Sequence, residues 1–164
     1  MAYPSYNRFT RAQKEIARNS DALPAVKLNQ LIELQQMAQE INHQLSLENL
    51  QFVERSSQHL IDAICLQLNS SNVRVHVLER RPHDDASELH GLYEPVDESR
   101  PRARIYVWMR TAKRLQVVAF KTYLRTLVHE FCHHLDYEYY QLEDSLHTKG
   151  FFQRESNIMK QLVR

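Results

Sequence analysis

Five consecutive residues concentrate the chemistry of this chain: His129-Glu130-Phe131-Cys132-His133. Around them Val117, Phe120, Leu124, Leu127, Phe131 and Leu135 recur at helical spacing and predict a helix from about Val117 to Tyr140. Two side chains four residues apart project from one face of a helix, so the imidazoles of His129 and His133 can grip a single ion. Glu130 can then reach a water on that ion rather than the ion itself, and its carboxylate can take the water's proton. H-E-x-x-H on a helix is therefore the pattern of a water-activating zinc centre. The plainer reading is a helix with two incidental histidines. Placement within the strongest predicted helix, with apolar residues at both x positions, favours the metal.

Such a centre needs a third protein ligand and an open fourth position. His147 is one candidate, at the end of a polar loop short enough to fold back. Glu155, on a predicted last helix, competes with it. Asp136 shares a face with His133 and is expected to orient an imidazole rather than to ligate. His134 points away from that face and has no expected metal role. Tyr137, Tyr140, His90 and Arg154 are open alternatives for stabilising an oxyanion.

The elements that must hold these groups are helices and a small sheet. Leu28, Leu31, Ile32, Leu34, Met37, Ile41 and Leu45 predict one amphipathic helix. Leu50, Val53, Leu60, Ile61, Ile64 and Leu68 predict a second, closed by Asn69-Ser-Ser-Asn. Val73, Val75 and Val77 then alternate with Arg74 and His76, a half-buried strand. Leu89 to Glu94 reads as a short second strand. In the clearest strand, Ala103, Ile105, Val107 and Met109 alternate with Arg104, Tyr106, Trp108 and Arg110. A last helix runs from about Lys149 to Leu162. Residues 1–26 form a polar arm or short helix outside the core. The expected fold is α+β: an approximately three-stranded, mostly antiparallel sheet, two N-terminal helices, the helix carrying the motif and a C-terminal helix. One domain spans 27–164, with a helical part at 27–70 and the metal-bearing core at 73–162.

His129-Glu-x-x-His133 followed by His147-x-x-x-Phe151-Phe152 resembles the SprT-like (Spartan-like) zinc metallopeptidases. In that family the second motif is a histidine, three residues and an aromatic. The similarity extends to the Gly91-Leu-Tyr93 and Arg104-Ile-Tyr-Val107 strands and covers about residues 73–162. It implies His129, His133 and His147 as Zn²⁺ ligands, Glu130 as general base, and a peptidase acting on proteins, including DNA-associated ones. Thr148 stands where members often have glycine or serine, the C-terminal zinc ribbon of some members is absent, and residues 1–70 match nothing in the family. In metallopeptidases of this architecture an edge strand above the metal binds the substrate backbone as an added strand. The strand from Ala103 to Met109 is assigned that role, with Arg104, Tyr106 and Trp108 as substrate-binding residues. The alternative is that Tyr106 and Trp108 pack against the N-terminal helices.

Composition narrows the other classes. The chain has 164 residues, a net charge of +1 and only two glycines, which argues against Gly-rich phosphate loops and turn-dense β-sandwiches. Two cysteines cannot build a disulfide framework or a four-cysteine zinc ribbon. No apolar run spans a bilayer and no secretory h-region opens the chain, so a cytoplasmic protein without membrane contact is expected. Between Ser99 and His129 there is no acidic residue, whereas Arg100, Arg102, Arg104, Arg110, Lys113, Arg114, Lys121 and Arg125 fall there. This basic stretch suits a solvated face, DNA contact or an acidic peptide. A nucleic-acid or protein-binding module with a structural metal is the alternative to a peptidase. In a third reading Cys65 or the Tyr3–Arg11 arm keeps the enzyme latent by covering the cleft.

Overall fold

In the computed structural model, which describes residues 6–83 and 88–163, local capping signals open three of the five helices. Thr10 caps α1 (Arg11–Ala22) through a reciprocal box with Gln13. α2 (Leu31–Ser46) follows Gln30, which sits in the left-handed region at φ 50°. Asn49 caps α3 (Leu50–Leu68), and Asn69 ends it at φ 51°, a conformation asparagine tolerates well. Three strands come next, β1 (Val73–Arg80), β2 (Gly91–Glu94) and β3 (Ala103–Arg110). α4 (Phe120–Glu138) carries the H-E-x-x-H motif, and Thr148 caps α5 (Lys149–Leu162). The fold is α+β with three strands, as the alternation of apolar periods predicts. Tyr3 and the Asp84–Asp85 end of the polar loop after β1 lie outside the described residues.

The sheet is mixed, in the order β1-β3-β2. β2 and β3 form an antiparallel hairpin, with Gly91 opposite Val107 and Glu94 opposite Arg104. β1 lies on the other side of β3 and runs parallel to it, with Val73 opposite Ala103 and Val77 opposite Val107. The expectation of a mostly antiparallel sheet therefore holds for one pairing of the two. The chain crosses from β1 to the far edge before the hairpin begins, and this puts β3 in the middle.

One face of the sheet is apolar and meets α3 and α4. Val73, Val75, Val77, Ala103, Ile105, Val107 and Met109 are buried there with Leu60, Ile64, Leu124, Leu127 and Phe131. Each such aliphatic or aromatic side chain contributes about 1.5–3 kcal/mol on removal from water. α4 begins three residues later than its apolar period suggests, because Val118 still donates its N–H to Met109 O and Val117 bridges Arg110.

The N-terminal segment is not an arm outside the core. Ala17 and Ser20 of α1 are buried against α5, and Val26 and Leu28 are core residues. Gln161 of α5 donates to Val26 O at 2.8 Å and accepts from Leu28 N at 2.9 Å. A polar composition concealed this contact because one narrow stripe of small residues suffices to seat the helix.

Candidate metal centre

α4 presents His129 and His133 on one face, and the loop to α5 returns His147 to them. The Nε2 atom of His147 stands 3.0 Å from Nε2 of His129 and 3.0 Å from Nε2 of His133. Among the described residues this is the one group of three whose ligand atoms lie close enough together to hold a metal ion. The ring of Phe151, fully buried, packs beneath all three imidazoles, with centroid distances of 5.0, 4.7 and 5.2 Å to His129, His133 and His147.

The hydrogen bonds behind the rings fix where their lone pairs point. Ser145 Oγ donates its single proton to Asp136 Oδ2 at 2.7 Å, so at its 2.7 Å contact with His133 it must accept from Nδ1–H. His129 Nδ1–H donates to Glu155 Oε2 at 2.8 Å. Both rings therefore turn Nε2 toward His147. Burial favours the neutral form of His133, as do the neighbouring His129 and His147, and together they hold its imidazole down to about 3. Three imidazole nitrogens that converge in this way can share one cation. A tetrahedral zinc with bonds of about 2.0–2.1 Å needs donor nitrogens roughly 3.3 Å apart, close to the spacing seen. The donor set fits a transition-metal ion, and imidazole nitrogen suits zinc, copper, iron or nickel.

Glu155 is thus not the third ligand. It sits two turns into α5, where it reaches the outer nitrogen of His129, while His147 precedes the helix and faces the metal side. Burial works to raise the Glu155 pKa, but hydrogen bonds from His129 and from Arg125, at 3.0 Å, outweigh it and hold the group below the ordinary carboxylate range. Asp136 orients His133 through Ser145 rather than directly. His134 has no part in the centre. Its Nε2–H donates to Ser71 O at 2.7 Å and its Nδ1 accepts from the Tyr93 hydroxyl at 3.0 Å, bracing α4 against β2.

The three histidines and Glu130 line one cleft of about 690 Å³. Glu130 is buried, and desolvation pushes its carboxyl up to about 7 even though His129 draws it down. Its side chain fits because position 91 is glycine. A Cβ there would lie 2.5 Å from Glu130 Oε1 and 2.8 Å from its Cγ. A glycine inside a strand often marks such an approach, and it was the one sequence signal for this contact. Ser145 carried no comparable signal, since nothing local to a serine in a polar loop reveals that it links a ligand to a carboxylate.

The strand beside the cleft is β2, not β3. Leu89 to Tyr93 line the cleft, and among the described residues β2 is paired on one side only. β3 is central, with both edges occupied, so it cannot accept an added strand. Arg104, Tyr106 and Trp108 do not line the cleft. They belong to the sheet face opposite the core, where Tyr106 stacks on His76 at 5.0 Å and Trp108 is buried. Of the four oxyanion candidates, His90 and Tyr137 line the cleft. The Tyr137 hydroxyl donates to Asp144 at 2.9 Å, Tyr140 donates to Pro24 O, and Arg154 is buried on Ser20 and Asp136. Cys65 is buried in α3 within the core, and none of the described residues before Val26 lines the cleft.

Tertiary structure also supplies acids to the basic stretch. Arg100 pairs with Glu94 and Asp97, Arg110 with Glu79 and Glu48, and Arg125 with Glu155. No helix among the described residues is long and apolar enough to cross a membrane. No protein-family model, curated protein or solved structure matches this chain.

Proposed function

We propose that the protein is a zinc-dependent metallopeptidase that hydrolyses peptide bonds with Glu130 as general base. One observation carries the reading: three imidazole nitrogens converge beside a buried carboxylate in an open cleft, with no fourth protein ligand among the described residues. A closed structural site has no use for that carboxylate or for the open side. The resemblance of His129-Glu-x-x-His133 and His147-x-x-x-Phe151 to the SprT-like metallopeptidases points the same way.

Zinc, when bound, supplies Lewis acidity toward the scissile carbonyl and the attacking water. The chain's own residues do the rest. The free edge of β2 receives an extended peptide backbone as an added strand, with Leu92 and Tyr93 beside the cleft. Glu130 takes the proton of the attacking water and passes it to the leaving amine. Its raised proton affinity suits both transfers near neutral pH. Phe151, fully buried, keeps water from the back of the imidazoles.

The test is hydrolysis of an unstructured protein such as casein by the zinc-loaded protein, with Glu130→Gln alongside. Loss of a general base costs about 10²–10⁴-fold in rate. Undiminished cleavage by a zinc-containing Glu130→Gln protein rules out the mechanism, and no cleavage by the parent chain rules against peptidase action on unfolded protein.

A further inference from the structure

α1 is joined to the metal centre by two sets of contacts that meet at Ser20. The first runs to His133. Ser20 O and Oγ accept from the Arg154 guanidinium at 2.6 and 2.8 Å, and Arg154 Nη2 donates to Asp136 Oδ1 at 3.2 Å. Asp136 Oδ2 then takes the Ser145 proton, and Ser145 receives His133 Nδ1–H. Ser20, Arg154 and Asp136 are all buried, at 1%, 3% and 0% exposure, so none of these bonds has water as a ready substitute. The second set holds the segment that carries His147. Ser20 Oγ lies 3.1 Å from the hydroxyl of Thr148, the next residue after His147, and Gly150 N–H donates to Asp21 Oδ1 at 2.6 Å. Gly150 leaves no room for a side chain there, since a Cβ would fall 2.7 Å from Ser20 O and from Asp21 Cα.

We infer that Ser20 and Asp21 of α1 are positioning residues of the metal centre, and that metal binding and the docking of α1 onto α5 are thermodynamically linked. One end of α1 sets the orientation of His133 and the approach of His147, two of the three donors, while touching neither. Release of α1 frees Arg154 from Ser20, loosens Asp136 and Ser145, and removes the anchor behind His147. Linkage is reciprocal, so an ion that favours the ordered centre also favours docked α1. This rests on the three histidines binding a metal ion and does not require peptidase activity.

Zn²⁺ affinity of the full chain is measured by competition with a chromophoric chelator for the parent, Ser20→Ala and Asp21→Ala proteins. Outer-shell partners of metal ligands typically change affinity by about 10–100-fold. Each variant is expected to bind zinc at least several-fold more weakly at unchanged far-UV circular dichroism. Asp21 has an exposed side chain, so Asp21→Ala, which removes the acceptor for Gly150 N–H, carries the test should Ser20→Ala fail to fold. Hydrogen exchange of the unmodified chain gives the converse measurement. Amides of Arg11–Ala22 are expected to exchange more slowly with zinc than after chelation, while those of α3 do not change. Unaltered affinity in Asp21→Ala, or α1 exchange indifferent to zinc, overturns the linkage. A parent chain that binds no zinc overturns the metal centre itself, which the variants alone cannot do.

Discussion

Gly91 and Glu130 share one volume: a methyl group on Gly91 would lie 2.5 Å from Glu130 Oε1 and 2.8 Å from Thr126 Cγ2. The face of β2 therefore approaches α4 closely at Gly91, and the carboxylate occupies the space a side chain would need. Gly91→Ala is expected to displace Glu130 without touching the histidines. A shift of about 1 Å in a reacting group costs on the order of 10²-fold in rate. Zinc content should stay at the parent level while casein hydrolysis falls by at least tenfold. Parent-level hydrolysis would show that the carboxylate has freedom the packing does not suggest.

Ser145 and Glu155 serve the two helix-borne ligands from behind, one through a hydroxyl and one through a carboxylate. Ser145→Ala removes the acceptor for His133 Nδ1–H and the donor to Asp136. Glu155→Ala removes the acceptor for His129 and strands the Arg125 guanidinium. Each should weaken zinc binding by about 10–100-fold, read by chelator competition. Arg125→Ala, which leaves the Glu155–His129 bond in place, should have the smaller effect.

His134 is a neighbour of His133 with an opposite task. His134→Leu removes two hydrogen bonds, to Ser71 O and the Tyr93 hydroxyl, each contributing about 0.5–1.5 kcal/mol. Denaturant unfolding should show a loss of that size or somewhat more, with zinc stoichiometry retained. Loss of zinc at unchanged stability would reverse the assignment of the two faces of α4.

The metal-free protein should lose stability on acidification. His133 is held down to about 3 by burial and by the neighbouring His129 and His147, against an ordinary imidazole value near 6.5. Below pH 6.5 the unfolded chain takes up a proton there that the folded chain refuses, so stability falls as pH drops from about 6.5 toward 3. Burial shifts His134 in the same direction. The thermal midpoint of chelator-treated protein should therefore decline between pH 7 and 5, and less steeply in His133→Gln. Equal slopes for the two proteins would mean that His133 is not held neutral.

Residues 117–135 were legible because helical period and metal-ligand spacing are local properties, and 147–152 because their pattern resembles a known family motif. His129, Glu130 and His133 need one turn of helix to share a region, and His147 needs one short loop. β3 misled for a reason equally physical: alternation tells that a strand has two unlike faces and says nothing of whether its edges are free. Arg104, Tyr106 and Trp108 have the residue types of a binding surface, yet β1 and β2 occupy both sides of their strand. The polar segment 11–22 was read as peripheral because average composition hides one buried stripe.

By itself the sequence determined the α+β class and the helix that presents His129 and His133, which follow from side-chain periodicity within a few residues. It left His147 and Glu155 both open as third ligand, and only the family resemblance pointed to His147. Tertiary structure alone decided that Glu155 stands behind His129 instead of on the metal side, that β2 is the edge beside the cleft, and that α1 reaches His133 through Arg154, Asp136 and Ser145. Those outcomes depend on how helices and strands distant in the chain pack to bury their apolar faces, which no local spacing encodes.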